Sequence, residues 1–242
     1  RLTAGDSGTL TRVPKSEVYA VIESDLNSAI SALPAQKSTD GRATSFTAHA
    51  LLGKVYLYQQ KYAEAANILE PLVGLYTLPS DPGSVFLVSG ENGPEAVFEI
   101  QHSKESNGWN WGWMPQSTEG NFGVIHHGIR GYSGPTYSSG WSFNVPTDEF
   151  HKAFRSDDKR RDASILDIVK WADDNQADYQ EGYEHTGYFN NKYIPRQGYS
   201  KNTTELNYEN NYRYIRYADV LLMAAEANNL SGNDVKARDY LN

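Results

Sequence analysis

The chain has 242 residues, with 22 Lys and Arg against 30 Asp and Glu, a formal net charge of −8 at pH 7 and no cysteine. This length fits one large domain or two small ones with a hydrophobic core, and the acidic balance argues against nucleic-acid binding, which needs a concentrated cationic surface. The lack of cysteine excludes disulfides, zinc–thiolate sites, iron–sulfur clusters and thiol catalysis within this sequence.

The first third of the chain has the pattern of three helices. Residues 14–33 place apolar side chains on one helical face, namely Val18, Ile22, Leu26, Ala29, Ile30 and Leu33. Pro14 suits the first turn of this helix, and Pro34 marks its end. Residues 48–59 and 62–73 predict a second and a third helix.

The remainder of the chain predicts short strands and further helices. The apolar run at 85–88 and the alternating pattern at 96–100 are typical of short strands. Residues 148–154 predict a short amphipathic helix, residues 158–170 a further one, and roughly the last 30 residues are helical again.

The helical ends of the chain share one spacing. A small residue and an alanine are twelve positions apart in both, at Gly53 and Ala65 and again at Ala225 and Ala237. This spacing is typical of a tetratricopeptide repeat, in which small residues let two antiparallel helices approach closely. Any antiparallel helix pair with alanines at the contact would have the same pattern, so that simpler interpretation stays open, especially for the second copy.

Between these ends lies a segment rich in glycine and aromatic residues. Residues 107–143 contain eight glycines but only two charged side chains, Glu119 and Arg130. The segment has neither a helical nor a strand period, which predicts an irregular structure, and its ring density argues against disorder. Long irregular segments within compact domains are usually functional. A second biased region, rich in Tyr and Asn, covers 176–217.

Four stretches of the sequence resemble the SusD/RagB family of outer-membrane nutrient-uptake lipoproteins. In chain order they are VYAVIESDLNSAISALP with the following GRATSFTAHALLGKVYLYQQKYAEAANILEPLV, then NGPEAVFEIQ, then NVPTDEFHKAFRSDDKRRDASI, and finally NYRYIRYADVLLMAAEANN. Together they cover most of residues 15–242. Any one of them is a weak signal, but four in the same order as in the family are specific.

The resemblance implies a mainly α fold, with tetratricopeptide-like hairpins packed around an irregular, loop-rich subdomain that has few short strands. Residues 1–242 would form one SusD-like domain, with helical repeats at 14–75 and 211–242 and the irregular subdomain at 76–210. Since the chain starts in a polar stretch and ends inside a predicted helix, we expect a fragment that lacks the N-terminal part and the C-terminal end of the family.

The resemblance also implies a function. Members of the family are not enzymes; they capture oligosaccharides on the extracellular face of the outer membrane and close as a lid on a SusC-like TonB-dependent transporter. No cofactor is implied. Membrane attachment would depend on a lipid anchor that is absent from this chain.

The aromatic segment predicts where a glycan would bind. Sugar rings present apolar C–H faces and hydroxyl edges, so a binding site needs exposed flat rings together with amide or charged side chains. The predicted ligand-contacting residues are Trp109, Asn110, Trp111, Trp113 and Gln116, with Tyr132 and Tyr137 as a second wall. These rings could instead fill the core of the irregular subdomain. Trp141 is expected to pack near the helix start at Pro146 and Thr147.

No pattern in the sequence predicts a metal centre. The pair His126 and His127 would point to opposite faces of a strand and lacks a third ligand nearby. The acidic doublets at 157–158 and 173–174 do not fit a calcium-binding loop and are read as solvated helix ends. The charged run at 155–162 alternates in sign, which predicts ion pairs between residues four positions apart rather than an anion site.

Enzyme motifs are also missing from the sequence. Residues 131–135 miss the nucleophile elbow by one position, and no phosphate-binding glycine loop occurs. A glycoside hydrolase remains an open alternative, because paired carboxylates can be far apart in sequence. The other alternative is a tetratricopeptide-type scaffold that binds a protein or peptide in a helical groove lined by residues such as Asn67, Tyr56 and Lys54.

Overall fold

The computed structural model describes residues 12–37, 39–105, 119–201 and 207–241, and within them the chain is mainly α. The predicted fold class is therefore confirmed. The chain divides into two compact units, one formed by the residues up to Leu75 together with those from Ala218 onward, and the other by residues 76–217. The grouping of both into one domain over 1–242 stays a prediction.

The bounds of the elements follow in chain order. They are helices α1 (Lys15–Ala32), α2 (Ser45–Tyr58) and α3 (Tyr62–Leu69), strand β1 (Ala96–Ile100), helices α4 (Gly123–His126), α5 (Asp148–Ala153) and α6 (Lys159–Ser164), strand β2 (Ile165–Asp167), helix α7 (Ile168–Asn175), strands β3 (Tyr188–Asn190) and β4 (Tyr212–Arg216), and helices α8 (Tyr217–Leu230) and α9 (Asp234–Leu241). Three short 3₁₀ turns span Glu70–Leu72, Ser84–Phe86 and Val88–Gly90.

Helix α1 follows the predicted amphipathic pattern but is not deeply buried. It begins after Pro14, and most of its predicted apolar face is half-buried, whereas Val18 is 45% exposed. The helix is tied to the following hairpin through Glu23, whose carboxylate accepts hydrogen bonds from Gln59 Nε2 at 2.7 Å and Lys61 Nζ at 2.5 Å. The bond from Lys61 holds the pKa of Glu23 below its ordinary value.

Helices α2 and α3 form the predicted hairpin. A capping box between Thr44 and Thr47 starts α2. A Cβ on Gly53 would lie 2.5 Å from Leu69 Cγ, so the contact between the two helices needs a residue without a side chain at this position. Ala65 and Leu69 of α3 are fully buried. The small-residue spacing that predicts close helices therefore corresponds to a close contact in the fold.

Helices α8 and α9 form the second hairpin within the same unit. Ala225 and Ala237 are both buried, and Gly232 makes the turn in a left-handed conformation with φ of 88°. Glu70 contacts α9 twice, because its carboxylate pairs with Lys236 Nζ at 2.6 Å and accepts a hydrogen bond from the Tyr240 hydroxyl at 2.8 Å. The two predicted hairpins thus have direct side-chain contacts.

The second unit contains two small antiparallel sheets. Strand β1 pairs with β4, and strand β2 pairs with β3. Its larger core cluster includes Ile129, Tyr132, Tyr137, Leu166, Ile168, Phe189 and Ile194. Since the strands are short and most of the connecting chain is irregular, this unit corresponds to the loop-rich region that the sequence predicts.

The strand at Ala96–Ile100 is confirmed, but the strand predicted at 85–88 is wrong. This stretch forms two 3₁₀ turns instead. The side chain of Arg213 is 1% exposed and donates from Nε to Val85 O at 2.8 Å and from Nη2 to Leu87 O at 2.7 Å. Two carbonyls that a neighbouring strand would have used are therefore bound by a buried guanidinium group.

The single helix predicted at 158–170 is also wrong. Helix α6 ends at Ser164, the strand Ile165–Asp167 follows, and α7 begins at Ile168. The buried Ile165 and Leu166 pair with β3, while the side chain of Asp167 accepts from Lys170 N and starts the next helix. Burial of two branched apolar residues against β3 explains why tertiary pairing prevails over helical propensity here.

The charged run forms ion pairs at shorter spacing than predicted. Arg155 binds Asp157 at 2.8 Å, Arg160 binds Asp158 at 2.6 Å and Arg161 binds Asp162 at 2.8 Å. Asp158 also caps α6, and its hydrogen bonds to Arg160 lower its pKa to about 2. The prediction of a self-neutralising surface holds, although the partners are one or two residues apart rather than four.

The helices within the described ranges do not include one that is both long enough and apolar enough to cross a membrane.

Candidate functional site

Most of the predicted glycan-contacting residues lie outside the described residues. They are Trp109, Asn110, Trp111, Trp113 and Gln116, which all belong to 106–118. The backbone N–H of Ser103 donates to Glu119 O at 3.0 Å, so the described residues before and after 106–118 lie close together in space. The role of these residues in ligand binding stays a prediction.

Tyr132 and Tyr137, the predicted second wall, are 8% and 4% exposed. Their ring centroids are 5.9 Å apart in an edge-to-face arrangement. The Tyr132 hydroxyl donates to Pro135 O at 2.6 Å and accepts from Trp171 Nε1 at 2.9 Å. Burial raises the pKa of Tyr137. Both rings pack against protein in this structure and support the loop around them, while contact with a ligand stays a prediction.

Three other rings of the glycine-rich segment meet at the surface of the same unit. The ring centroid of Trp141 is 5.0 Å from that of His126 and 6.0 Å from that of Phe143, and His126 and Phe143 are 5.9 Å apart. Phe143 is 54% exposed, and the other two are half-buried. We call these three residues the Trp141 cluster.

The Trp141 cluster is held by its backbone. The N–H groups of Trp141 and Phe143 donate to the carbonyls of Ile125 and His126 at 3.0 and 2.8 Å. Ser142 and Asn144 on either side of Phe143 have left-handed φ angles of 59° and 54°. Such φ angles are uncommon for residues with a side chain and often mark functional sites. The exposed Phe143 ring therefore lies on a backbone that tertiary hydrogen bonds hold in a sparsely populated conformation.

A close crossing of two glycines lies next to the cluster. A Cβ on Gly128 would lie 2.6 Å from Gly140 Cα and 2.7 Å from Pro195 Cγ. The two chain segments can therefore approach only because neither residue has a side chain. This crossing brings the 140–143 segment beside α4, which carries His126.

Polar groups surround the Trp141 cluster. Arg130 is exposed and donates from Nη2 to Trp141 O at 2.9 Å, while its carbonyl accepts the backbone N–H of Gln180 at 2.9 Å. The loop that begins at Gln180 carries Tyr183, which is 92% exposed. An exposed guanidinium and a solvent-exposed phenol are side chains that can hydrogen-bond the hydroxyl edge of a sugar ring.

The histidine pair lies at the end of helix α4 rather than on a strand. His126 joins the Trp141 cluster, whereas burial lowers the pKa of His127, and its Nδ1 is buried without a hydrogen-bond partner in the described part of the chain. The described ranges contain no group of three or more His, Cys, Asp and Glu side chains that could hold a metal ion. The rings of the Trp141 cluster and the Arg130 guanidinium offer ring stacking and hydrogen bonding.

Sequence reasoning does not select the Trp141 cluster as a site. Trp141 is expected to pack near the following helix start, but it packs against the buried cluster of Val124, Ile125 and Tyr208. The signal available in the sequence is the Trp-Ser-Phe-Asn run after Gly140, because Ser and Asn at alternate positions are compatible with left-handed turns. Whether that run forms a surface depends on the contact with α4, which is not local.

The helical unit has an open groove of 670 Å³ near the turn between α8 and α9. Asn67, which the scaffold alternative predicts in such a groove, lines it together with Glu70, Asn228 and Lys236. Tyr56 instead packs against the alanine cluster of Ala65, Ala66 and Ala227, and Lys54 Nζ lies 6.0 Å from the ring centroid of Tyr58.

Comparison with known proteins relates the chain to one family. The model of the SusD family matches residues 168–242. The SusD-like protein P2 of Formosa agariphila is 28% identical over 253 residues, which cover 99% of this chain and 48% of that protein. The chain thus spans about half the length of this curated relative.

Solved structures give the same relationship. A laminarin-binding SusD-like protein is 36% identical, with a TM-score of 0.87 over 99% of this chain and 55% of that chain. The surface glycan-binding protein A of Bacteroides thetaiotaomicron, solved in complex with laminarihexaose, is 25% identical, with a TM-score of 0.80 over 93% of this chain and 52% of that chain.

Proposed function

Because the chain belongs to the SusD family, we propose that it is part of a non-catalytic protein that binds an oligosaccharide or polysaccharide at the cell surface. The protein delivers this glycan to a SusC-like TonB-dependent transporter. Its place is the extracellular face of the outer membrane, as the resemblance implies. Two structural relatives carry laminarin or laminarihexaose in their names, so a laminarin-type glucan is the first ligand to test.

The observation that carries this proposal is the Trp141 cluster. Its exposed Phe143 ring and half-buried Trp141 and His126 rings offer apolar faces to a sugar, and Arg130 next to them offers hydrogen bonds. Aromatic stacking is worth roughly 0.5–1.5 kcal/mol per ring pair beyond area burial. Two or three rings therefore support weak, selective binding, which suits a protein that must release its ligand to a transporter.

We further propose that the aromatic residues of 107–137 extend this surface. The described chain stops at Glu105 and resumes at Glu119, the residue that accepts the hydrogen bond from Ser103. Asn121, two residues later, donates its backbone N–H to Tyr208 O at 2.7 Å. Tyr208 belongs to the buried cluster against which Trp141 packs. The described residues on either side of 106–118 therefore lie in the part of the unit that contains this buried cluster.

The test is glycan retention by a double variant. Trp141→Ala with Phe143→Ala should abolish retention in an affinity gel that contains laminarin, since both rings are removed. The matched control is Phe150→Ala, which removes a phenylalanine that is 50% exposed on α5 and should leave retention as in the wild type. Retention by the double variant equal to that of the control would overturn the assignment of this surface.

The groove in the helical unit supports a second function, the binding of a protein or peptide by a tetratricopeptide-type scaffold. Asn67 lies in the groove as that function requires. Retention on laminarin distinguishes the two functions. Under the glycan proposal, the wild type is retained and Asn67→Ala is retained equally. A scaffold without glycan affinity would not be retained by laminarin in any variant. Assaying the release of reducing sugar from laminarin tests the hydrolase alternative.

A further inference from the structure

The ribbon formed by β1 and β4 has one exposed face that carries aromatic side chains and one buried face that carries both apolar and charged side chains. Along β4, Tyr212 and Tyr214 point outward and are 47% and 51% exposed, while Arg213 and Ile215 between them are buried. This alternation is that of a strand with one face in the core. Here the outward face carries rings where a solvated strand usually carries polar side chains.

The exposed rings belong to a continuous row. The ring centroid of Tyr214 is 6.1 Å from that of Phe98 on β1, at an interplanar angle of 90°, and 6.5 Å from that of Tyr212. Tyr212 stacks on Tyr193 at 5.9 Å, and Tyr193 contacts Phe86 edge-to-face at 5.6 Å. We call these five residues the ribbon row.

The ribbon row rests on a rigid frame. The backbone N–H of Arg213 donates to the Tyr193 hydroxyl at 3.1 Å, which links the row to β4. Beneath it, the Arg213 guanidinium is 3.3 Å from a carboxylate oxygen of Glu91 and 3.8 Å from one of Glu99. The side chains of Arg213 and Glu99 are both 1% exposed. These contacts anchor Arg213 in the core, and Arg213 lies between Tyr212 and Tyr214 on the same strand.

Polar groups border the ribbon row as a sugar site requires. The Tyr212 and Tyr214 hydroxyls have no hydrogen-bond partner in the described ranges, which leaves both able to donate and accept. At one end, Asn92 and Gln101 exchange two amide hydrogen bonds of 3.0 Å at the surface. The charge of Arg216 at the other end is paired with Glu95 at 2.7 Å. The row therefore combines flat apolar faces, free hydroxyls and neutral amides.

We propose that the ribbon row is a second glycan-contacting surface, separate from the Trp141 cluster, that binds a further stretch of a neutral polysaccharide. This inference rests on the proposed glycan-binding function. The chemistry favours a neutral sugar, because the cations beside the row are engaged within the protein: Arg216 pairs with Glu95 at 2.7 Å, and Lys192 Nζ lies 4.8 Å from the Phe86 ring centroid. The exposed hydroxyls of Tyr212 and Tyr214 and the neighbouring amides of Asn92 and Gln101 supply the donors and acceptors that the hydroxyl edge of a sugar needs.

A second surface gives polymers an advantage over short oligosaccharides. Once a long chain is bound at one surface, its other segments are at a high effective concentration for the other surface. A hexasaccharide does not have this benefit to the same degree. We therefore expect the ratio of the affinity for laminarin to the affinity for laminarihexaose to depend on the ribbon row.

The experiment compares this ratio, by isothermal titration calorimetry, between the wild type and Tyr212→Ala with Tyr214→Ala. The ratio should fall about tenfold in the double variant, since two stacking rings are lost. Tyr212→Phe with Tyr214→Phe keeps the rings and should retain most of the ratio. The matched control is Tyr58→Ala on α2, which removes a tyrosine that is 67% exposed in the helical unit.

A second measurement avoids the need for a folded alanine variant. Nitration of the wild-type protein by tetranitromethane, mapped by mass spectrometry, should be reduced by laminarin at Tyr212 and Tyr214 but not at Tyr58. Equal nitration with and without laminarin at Tyr212 and Tyr214, or an unchanged affinity ratio in the alanine variant, overturns the ribbon row as a glycan surface. The proposal would also be overturned if Tyr212→Ala with Tyr214→Ala converted a dimer of this chain to a monomer and left its affinity for laminarin unchanged.

Failure of the ribbon row and failure of the proposed function give different results. If the wild type binds laminarihexaose but the ribbon variants have the same affinity ratio as the wild type, the glycan function stands and this inference falls. If the wild type binds neither laminarin nor laminarihexaose, nor any other glycan on an array, the proposed function falls and the inference falls with it.

Discussion

Gly128 and Gly140 cross so closely that a Cβ on Gly128 would lie 2.6 Å from the Cα of Gly140. The contact joins the turn after α4 to the segment that carries Trp141 and Phe143. Backbone hydrogen bonds from Gly140 N to Ile129 O and from Trp141 N to Ile125 O hold the two segments together at this crossing. Since backbone is on both sides of the crossing, a side chain at either glycine would push the two segments apart. The geometry of the Trp141 cluster therefore depends on two residues that contribute no ring.

The first prediction concerns this crossing. Gly128→Ala should lower the free energy of unfolding by roughly 1–3 kcal/mol, as overpacked sites usually do, and should weaken retention on laminarin because Trp141 and Phe143 are displaced. Urea denaturation and affinity electrophoresis measure the two effects. Gly182→Ala is the control, because its Cβ would lie 3.7 Å or more from its neighbours. A stable Gly128→Ala variant with normal retention would contradict the prediction.

The second prediction concerns the hydroxyl group of Tyr132. Tyr132→Phe removes the acceptor of the Trp171 Nε1 hydrogen bond and the donor to Pro135 O. Leaving a partly buried indole N–H unpaired costs about 1–3 kcal/mol, so the urea midpoint should fall. Tyr183→Phe, at a position that is 92% exposed, is the control and should change the unfolding free energy by less than about 0.5 kcal/mol. Equal midpoints for both variants would show that the Tyr132 hydroxyl is not structural.

The third prediction is a pH dependence that arises from Glu91. Desolvation raises the pKa of Glu91 above its ordinary value of 4.5, against the opposing effect of a hydrogen bond from Asn211 and the charge of Arg213. A folded-state pKa above the unfolded value stabilises the protein below pH 4.5, and this contribution is lost as the pH rises through the raised pKa. The stability of Glu91→Gln relative to the wild type should therefore increase as the pH rises from 4.5 through the raised pKa.

Denaturation curves of both proteins at several pH values within this window provide the measurement. The difference between the two proteins isolates Glu91 from the other carboxylates, because those titrate in both. A difference that stays constant, or that decreases with rising pH, would mean that Glu91 is not desolvated as the contacts indicate.

The fourth prediction concerns the tryptophans outside the described residues. Trp109→Ala with Trp111→Ala should abolish polysaccharide retention in an affinity gel and leave the helical circular dichroism intact, since neither residue belongs to a predicted helix. Retention equal to that of the wild type would remove these residues from the proposed surface. A loss of helical signal together with retention would instead assign them to the core.

How far the sequence predicts the fold depends on whether the signal is local. The helices at 14–33 and 48–59 are predictable because their caps and apolar periodicity are within the segments themselves. The prediction of a strand at 85–88 is wrong because the carbonyls of this stretch are bound by Arg213, more than a hundred positions away. The helix predicted at 158–170 is interrupted by pairing with β3 for the same kind of reason.

The candidate site shows the same division. Glycine and ring density predict a functional segment and its chemistry, because composition alone reports which side chains are available. Tyr132 and Tyr137 are expected at a ligand but are 8% and 4% exposed, whereas Phe143, which the sequence does not single out, is 54% exposed. Exposure of a ring in an irregular segment has no periodic signal in the sequence, so only the packed structure reports it.

By itself, the sequence determined the class of the protein: acidic, free of cysteine, helical at both ends and aromatic in the middle, with motifs that resemble one family. Those properties follow from residue type and short-range spacing. The tertiary structure decided which rings face solvent, through the crossing of Gly128 and Gly140 and the buried side-chain contacts of Arg213 on β4. Both depend on contacts between segments far apart in the chain, which the folded packing establishes and local sequence does not encode.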